Sequence, residues 1–255
     1  MSIEPFWNPS KKIIEHSNIY KMMQEKDFDN YQDFWKWSVT NKEDFWEATV
    51  RNLEIKLDKK YTSILDISKG VVNAQWLKNS KYNIVDSCFQ NSENSSAVIF
   101  QEEGKSIQKV TQKQLLNLVN RIANGLVEQG LKKGDYIAID MPMTVEAVAI
   151  YLAGIKAGMP IVTIADSFTS NEIAVRLKIA SPKVIFTQDV LKRGGKEIPL
   201  FKKVIEAKAP KAVVLKVSEE NIKLRDNDSY WEGFLSSNSE FTTVIQNPDD
   251  IITIL

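Results

Sequence analysis

Histidine and cysteine are almost missing from this chain: His16 and Cys88 stand alone in 255 residues. A single cysteine excludes an intramolecular disulfide and suits a reducing compartment. His16 lies in a polar stretch with no cysteine or second histidine beside it, so neither a histidine-built metal centre nor a Ser–His nucleophile pair can be assembled. No charge sign dominates either, because Lys+Arg and Asp+Glu both number 33. A global field that would favour nucleic acid or an anionic membrane is therefore absent. No apolar run approaches the ~18 residues of a membrane-spanning helix. Glu4, Pro5 and Glu15 interrupt the opening stretch, which excludes a secretory signal. Internal repeats and low-complexity tracts are lacking. So is any G-x-G-x-x-G after a strand, which ranks a dinucleotide-binding dehydrogenase domain last among the readings.

What is present is enough apolar material for a large core, with 43% hydrophobic residues, arranged in three regions. Residues 1–90 are aromatic-rich and without strand alternation. Helices are expected at 29–38 and 42–53, the second opened by Thr40-x-x-Glu43. NSENSS at 91–96 reads as a linker. From Ala97 the pattern alternates. AVIF and IQKV form a hairpin about Glu103-Gly104, followed by a helix at 112–129, a strand ending at Asp140 and a helix from Val145 closed by Gly158. A strand at 159–165, a helix from Ser170 opened by the Thr169-x-x-Glu172 capping box, and the strand KVIFT follow. A helix at 200–208, the strand AVVLKV and the closing IITIL complete the chain. Strands separated by helices predict an α/β fold, mainly a parallel sheet with helices on both faces, preceded by a mostly helical N-terminal extension.

Polar turns after parallel strands open onto ligand crevices. The turn after KVIFT, DVLKRGGKEIPL, sets Arg193 and Lys196 across two glycines, so both charged heads can face one site, as a phosphate requires. The same residues also fit a solvated basic turn. Asp166, Ser167 and Phe168 form a second such turn, with helix initiation as the plainer alternative. Arg176, on the following helix, can point back to that pocket or serve as a solvated charge. Trp35, Trp37, Trp46 and Trp76 lack the basic stripe of a base-stacking platform, and packing against the αβ domain is expected of them. Nothing marks Cys88 as a nucleophile, and Met141 and Met143 suit core filling as well as a substrate wall.

IKAGMPIVTIADSFTSNEIAVRL resembles the second core motif of the AMP-forming acyl-CoA synthetases, the acetyl-CoA synthetase-like branch of the adenylate-forming superfamily. Within that branch the likeness is to the plant-type acyl-activating enzymes. VTQKQLLNLVNRIANGLVEQGLKKGDYIAI is similar to the first core motif. WKWSVTNKEDFWEATV with ILDISKGVVNAQWLKNSKYNIVDSCF is similar to the N-terminal extension. The resemblance covers residues 30–255, least well at 218–247. It implies an extension at 1–90 and the first αβ subdomain of the adenylation domain at 97–255. It further implies ATP, Mg2+ and coenzyme A as reactants of the complete enzyme, with a small carboxylic acid as substrate. Arg193 and Lys196 become contacts to the 3′-phosphate of CoA, Lys196 replacing a second arginine. Asp166, Ser167 and Phe168 lie beside the CoA nucleotide and its pantetheine arm, where the family often carries glycines.

By the same resemblance a Ser/Thr/Gly-rich phosphate loop would follow Leu255. The chain is therefore expected to be the N-terminal part of a larger ligase, without ligase activity by itself, and cytoplasmic or peroxisomal. A non-catalytic nucleotide- or CoA-binding or regulatory module is the alternative.

Overall fold

The computed structural model describes residues 6–220 and 222–255. Two compact units divide the chain, one made of Met1–Ile55 with Lys60–Ser80, the other of Lys56–Lys59 with Lys81–Leu255.

The first unit is mostly helical: α1 (Lys11–Glu15), α2 (Asn18–Glu25), α3 (Tyr31–Thr40) and α4 (Lys42–Asn52). Ser10, Ser17 and Asn30 cap the first three, each side chain accepting a backbone N–H three residues on. The Thr40-x-x-Glu43 box expected at α4 does not form. Thr40 still belongs to α3, where its hydroxyl donates to Lys36 O at 2.8 Å, and Asn41 opens α4 without a side-chain cap. A hydroxyl engaged in the preceding turn is not available to the next helix. The unit also holds an antiparallel pair that the sequence concealed, β1 (Ser63–Asp66) with β2 (Gln75–Lys78). Phe28, Phe34, Trp37, Phe45, Trp46 and Trp76 run as a chain of edge-on and tilted ring contacts, Trp46 meeting Trp76 at 5.4 Å. Trp37, Trp46 and Trp76 thus pack among the aromatics of their own unit, while Trp35 is exposed.

The second unit begins with α5 (Ile84–Cys88), the hairpin β3 (Ser96–Phe100) and β4 (Gln108–Thr111), and α6 (Gln112–Glu128). It continues as β5 (Ile137–Asp140), α7 (Val145–Lys156), β6 (Ile161–Ile164), α8 (Ser170–Ala180) and β7 (Val184–Gln188). The hairpin β8 (Leu191–Arg193) and β9 (Lys196–Ile198), then α9 (Leu200–Glu206), β10 (Lys211–Leu215), β11 (Ser229–Tyr230), α10 (Trp231–Phe234) and β12 (Thr253–Ile254) complete it. Six strands form one parallel sheet in the order β11-β10-β7-β5-β6-β12.

Alternation along the strands divides the core in two. Ile137 and Ile139 of β5, Val184 and Phe186 of β7 and Val213 of β10 face α6, α7 and α10. Ala138, Val162, Ile185 and Val214 face α8 and α9. Helices therefore cover both faces, as parallel sheets require. The capping boxes at Thr111/Gln114 and Thr169/Glu172 are both closed reciprocally, which fixes where α6 and α8 begin.

Candidate functional site at the carboxyl ends of the strands

Strands β5 and β6 end together, Asp140 beside Ile164 in register, and a crevice of about 680 Å³ opens above them. Its walls are largely apolar, with Met141, Met143, Tyr151 and Leu152 on one side and Asp166, Phe168 and Arg176 on the other. Pro142 and the Thr144 cap turn the chain from β5 into α7, which holds Met141 and Met143 at the rim. Across β6, the Phe168 N–H donates to Ala165 O at 2.9 Å, forming the tight polar turn that leads to the α8 capping box. Arg176 lies nearly two turns into α8, its guanidinium carbon 3.9 Å from the centre of the Phe168 ring. That stacking aims Arg176 at the turn rather than at bulk solvent. Ser167 is exposed.

The segment read from sequence as a turn is a hairpin. Leu191 pairs with Ile198, Lys192 with Glu197 and Arg193 with Lys196, around Gly194 and Gly195 at φ 59° and 70°. A two-residue loop with both central φ values positive matches the strand twist, and glycine adopts it without strain. Directly opposed residues project to one face, so Arg193 and Lys196 lie side by side there, while Lys192 and Glu197 pair at 3.4 Å. Arg193 reaches the β6 turn, its Nη2 2.8 Å from Asp166 Oδ2. Asp166, Phe168 and Arg176 thus line one edge of the crevice, with Arg193 tied to that edge through Asp166 and Lys196 beside Arg193 at the hairpin tip.

Three residues that sequence reasoning passed over support this edge. Lys203, from α9, donates to Asp166 O at 2.9 Å and holds the turn from below. Asp189, at the root of the hairpin, accepts from Ser218 Oγ at 2.6 Å and from the N–H groups of Val190, Val217 and Ser218. Burial alone would raise its carboxyl, but the Ser218 hydroxyl and these backbone donors outweigh it, and the result is a lowered value. Asp140 is fully buried with both carboxylate oxygens unpartnered. Burial pushes its carboxyl up to about 7, opposed by the Lys203 ammonium and reinforced by the Asp166 charge. Its signal in the sequence is an acid closing an apolar strand ahead of a proline.

Another concavity of comparable size, about 720 Å³, belongs to the helical unit and is walled by Phe34, Trp35 and Tyr31 with the Arg51–Glu25 ion pair. None of the residues singled out from sequence as site candidates lines it. His16 closes α1, its Nδ1 2.7 Å from Lys12 O. Among the described residues, no three His, Cys, Asp or Glu side chains gather as a metal site, and no helix is long and apolar enough to cross a membrane.

Known proteins carry the same architecture. The chain superposes on an acetoacetyl-CoA synthetase from Streptomyces lividans with a TM-score of 0.87 at 21% identity, over 99% of this chain and 41% of that one. It is 37% identical to a probable peroxisomal acyl-activating enzyme 18 of Arabidopsis thaliana, over 91% of this chain and 34% of the relative. It is 36% identical to a hexanoyl-CoA synthase of Cannabis sativa, over 98% of this chain and 39% of the relative. The chain therefore spans between a third and two fifths of the length of these relatives. Residues 31–88 match the acetyl-coenzyme A synthetase N-terminus model. Residues 86–255 match the AMP-binding enzyme model, and with two thirds of its length so matched the chain belongs to the AMP-binding enzyme family, in its acyl-CoA synthetase and acyl-activating branch.

Proposed function

We propose that this chain is the CoA-side portion of an ATP-dependent, AMP-forming acyl-CoA ligase. In such a ligase a carboxylate attacks the α-phosphate of ATP, releasing pyrophosphate, and the thiol of CoA then displaces AMP from the acyl adenylate. Residues 1–90 are the family's extension and residues 97–255 the first αβ subdomain of the adenylation domain. Arg193 and Lys196 bind the 3′-phosphate of CoA. Asp166, Ser167, Phe168 and Arg176 border its nucleotide, and the apolar crevice beside them suits the pantetheine arm. ATP, Mg2+ and a small carboxylic acid are reactants of the whole enzyme. A cytoplasmic or peroxisomal location fits the Arabidopsis relative named as peroxisomal.

The observation that carries the reading is the cross-strand placement of Arg193 and Lys196 at the tip of a Gly-Gly hairpin, next to a crevice at the carboxyl ends of parallel strands. Two cations on one face of a short turn match a phosphate monoester that takes no part in bond breaking, so their loss weakens binding rather than chemistry. Calorimetric titration of CoA and of dephospho-CoA is the test. Arg193→Ala is expected to weaken CoA about fivefold, roughly 1 kcal/mol for a contact this exposed, and to leave dephospho-CoA unchanged. Equal loss for both thiols would refute the phosphate contact.

A further inference from the structure

We propose that the phosphate clamp of the β8–β9 hairpin rests in a self-occupied form, held by the chain's own Asp166 and Glu103, and that a dianionic phosphate monoester enters by displacing them. The inference builds on the CoA-phosphate reading above. Arg193 and Lys196 are opposed in register, and like charges directly opposed on one face repel. The two-residue loop cannot let them separate, so the face calls for an anion. The chain supplies one: Asp166 Oδ2 accepts from Arg193 Nη2 at 2.8 Å.

A second carboxylate arrives from elsewhere. Glu103, in the β3–β4 turn, accepts the N–H of Gly194 at 3.0 Å, a donor that a two-residue turn leaves outside the strand ladder. Two loops distant in sequence thus bring carboxylates to a guanidinium and a main-chain N–H, the two kinds of donor a phosphate uses. Lys196 has no ion-pair partner among the described residues, so the internal anions cover the clamp only in part. Asp166 offers one charge to one cation, whereas a phosphate dianion offers two charges to both. Singly charged carboxylates and sulfonates gain nothing by exchanging with Asp166, and the dianion does.

Asp166 also stays in place after exchange. Its side chain is only 15% exposed against 58% for Arg193, and Lys203 holds its carbonyl at 2.9 Å. Its carboxylate therefore remains a standing competitor, setting selectivity for phosphate at some cost in affinity.

Titration of CoA and dephospho-CoA into the wild-type chain, Asp166→Asn and Glu103→Gln tests this. Asp166→Asn is expected to widen the preference for CoA over dephospho-CoA about two- to fivefold, the scale of an exposed ion pair. Glu103→Gln, on an exposed turn where the fold is not at stake, should shift that preference in the same direction by less. A wild-type preference for CoA that neither variant increases would leave the CoA-phosphate reading intact and overturn self-occupation. Weaker CoA binding by Asp166→Asn with an unchanged circular dichroism spectrum would overturn it too, making Asp166 a positioning residue. Absence of any CoA preference in all three proteins would overturn both readings.

Discussion

Asp140 shows how one side chain can set the pH response of the fold. Its carboxyl is fully buried, without a hydrogen-bond partner, and an ionised group in that position is costly. Burial, against the Lys203 ammonium and with the Asp166 charge, raises it from 3.8 to about 7. A carboxyl whose folded value lies above its unfolded one binds its proton more tightly when folded. Its stabilising contribution is therefore complete below about pH 4 and is lost as pH climbs through 7. Asp140→Asn removes the charge while leaving an equally unpartnered amide, so the variant should gain on the wild type between pH 5 and pH 8.5. The gain has an upper limit of about 3 kcal/mol, because the unfolded carboxyl is already ionised at pH 5 and only about two tenfold steps in proton affinity, each worth about 1.4 kcal/mol, are lost from there to pH 8.5. Urea unfolding at the two pH values measures it, and an unchanged gap between the proteins would show that Asp140 is solvated when ionised. Arg193, Lys196, Asp166, Phe168 and Arg176 were legible as site candidates because cations flanking glycines and polar turns after strands leave a local pattern. Asp140, Lys203 and Glu103 were not. Lys203 and Glu103 matter through partners 37 and 91 residues away, and the register between elements that joins them has no local trace.

The helix α7 carries the closest helix-to-sheet approach that can be tested by a single methyl. A Cβ on Gly154 would lie 2.3 Å from Ile161 Cδ1 and 2.7 Å from Ile137 Cδ1, both fully buried on β6 and β5. Overpacking of that kind costs about 1–3 kcal/mol, while replacing a mid-helix glycine by alanine returns at most about 1 kcal/mol, so packing wins. Gly154→Ala is therefore expected to destabilise the chain by about 1–2 kcal/mol. Gly233→Ala, in α10 with nothing within 4 Å of its Cβ, should be neutral or slightly stabilising. Matching denaturation midpoints for the two variants would mean that α7 shifts to absorb the methyl. The run from β5 to α8 was readable in advance because period-2 and period-3.6 patterns, Pro142, Gly158 and the Thr169 capping box all agree there. Some of the shortest elements escaped. β1, β2 and the β8–β9 hairpin are too short to show alternation, and the Thr40-x-x-Glu43 spacing carries no sign that α3 runs on through Thr40.

At the scale of the whole chain the balance of 33 basic against 33 acidic residues removes any long-range field, and this makes salt a clean probe of the hairpin. Steering by a charged protein would render all ligand binding salt-sensitive and would survive the loss of one or two side chains. In a chain of zero net charge, salt dependence must come from local contacts, and the cations gathered at the crevice edge are Arg193, Lys196, Arg176 and Lys203, the last with its ammonium bonded to the Asp166 carbonyl. Arg176 is turned towards Phe168 and the Glu172 carbonyl, which leaves the hairpin pair as the main source. Raising ionic strength from about 0.05 to about 0.5 M shortens the screening length from about 14 to about 4 Å. CoA affinity should consequently fall several-fold while dephospho-CoA changes less, so that the preference between the thiols narrows. The double variant Arg193→Ala, Lys196→Ala should bind both thiols alike at every salt concentration. If it retained the wild-type salt slope for CoA, the charges read by the 3′-phosphate would lie elsewhere on the molecule, and the hairpin would be a scaffold for the β6 turn rather than a clamp.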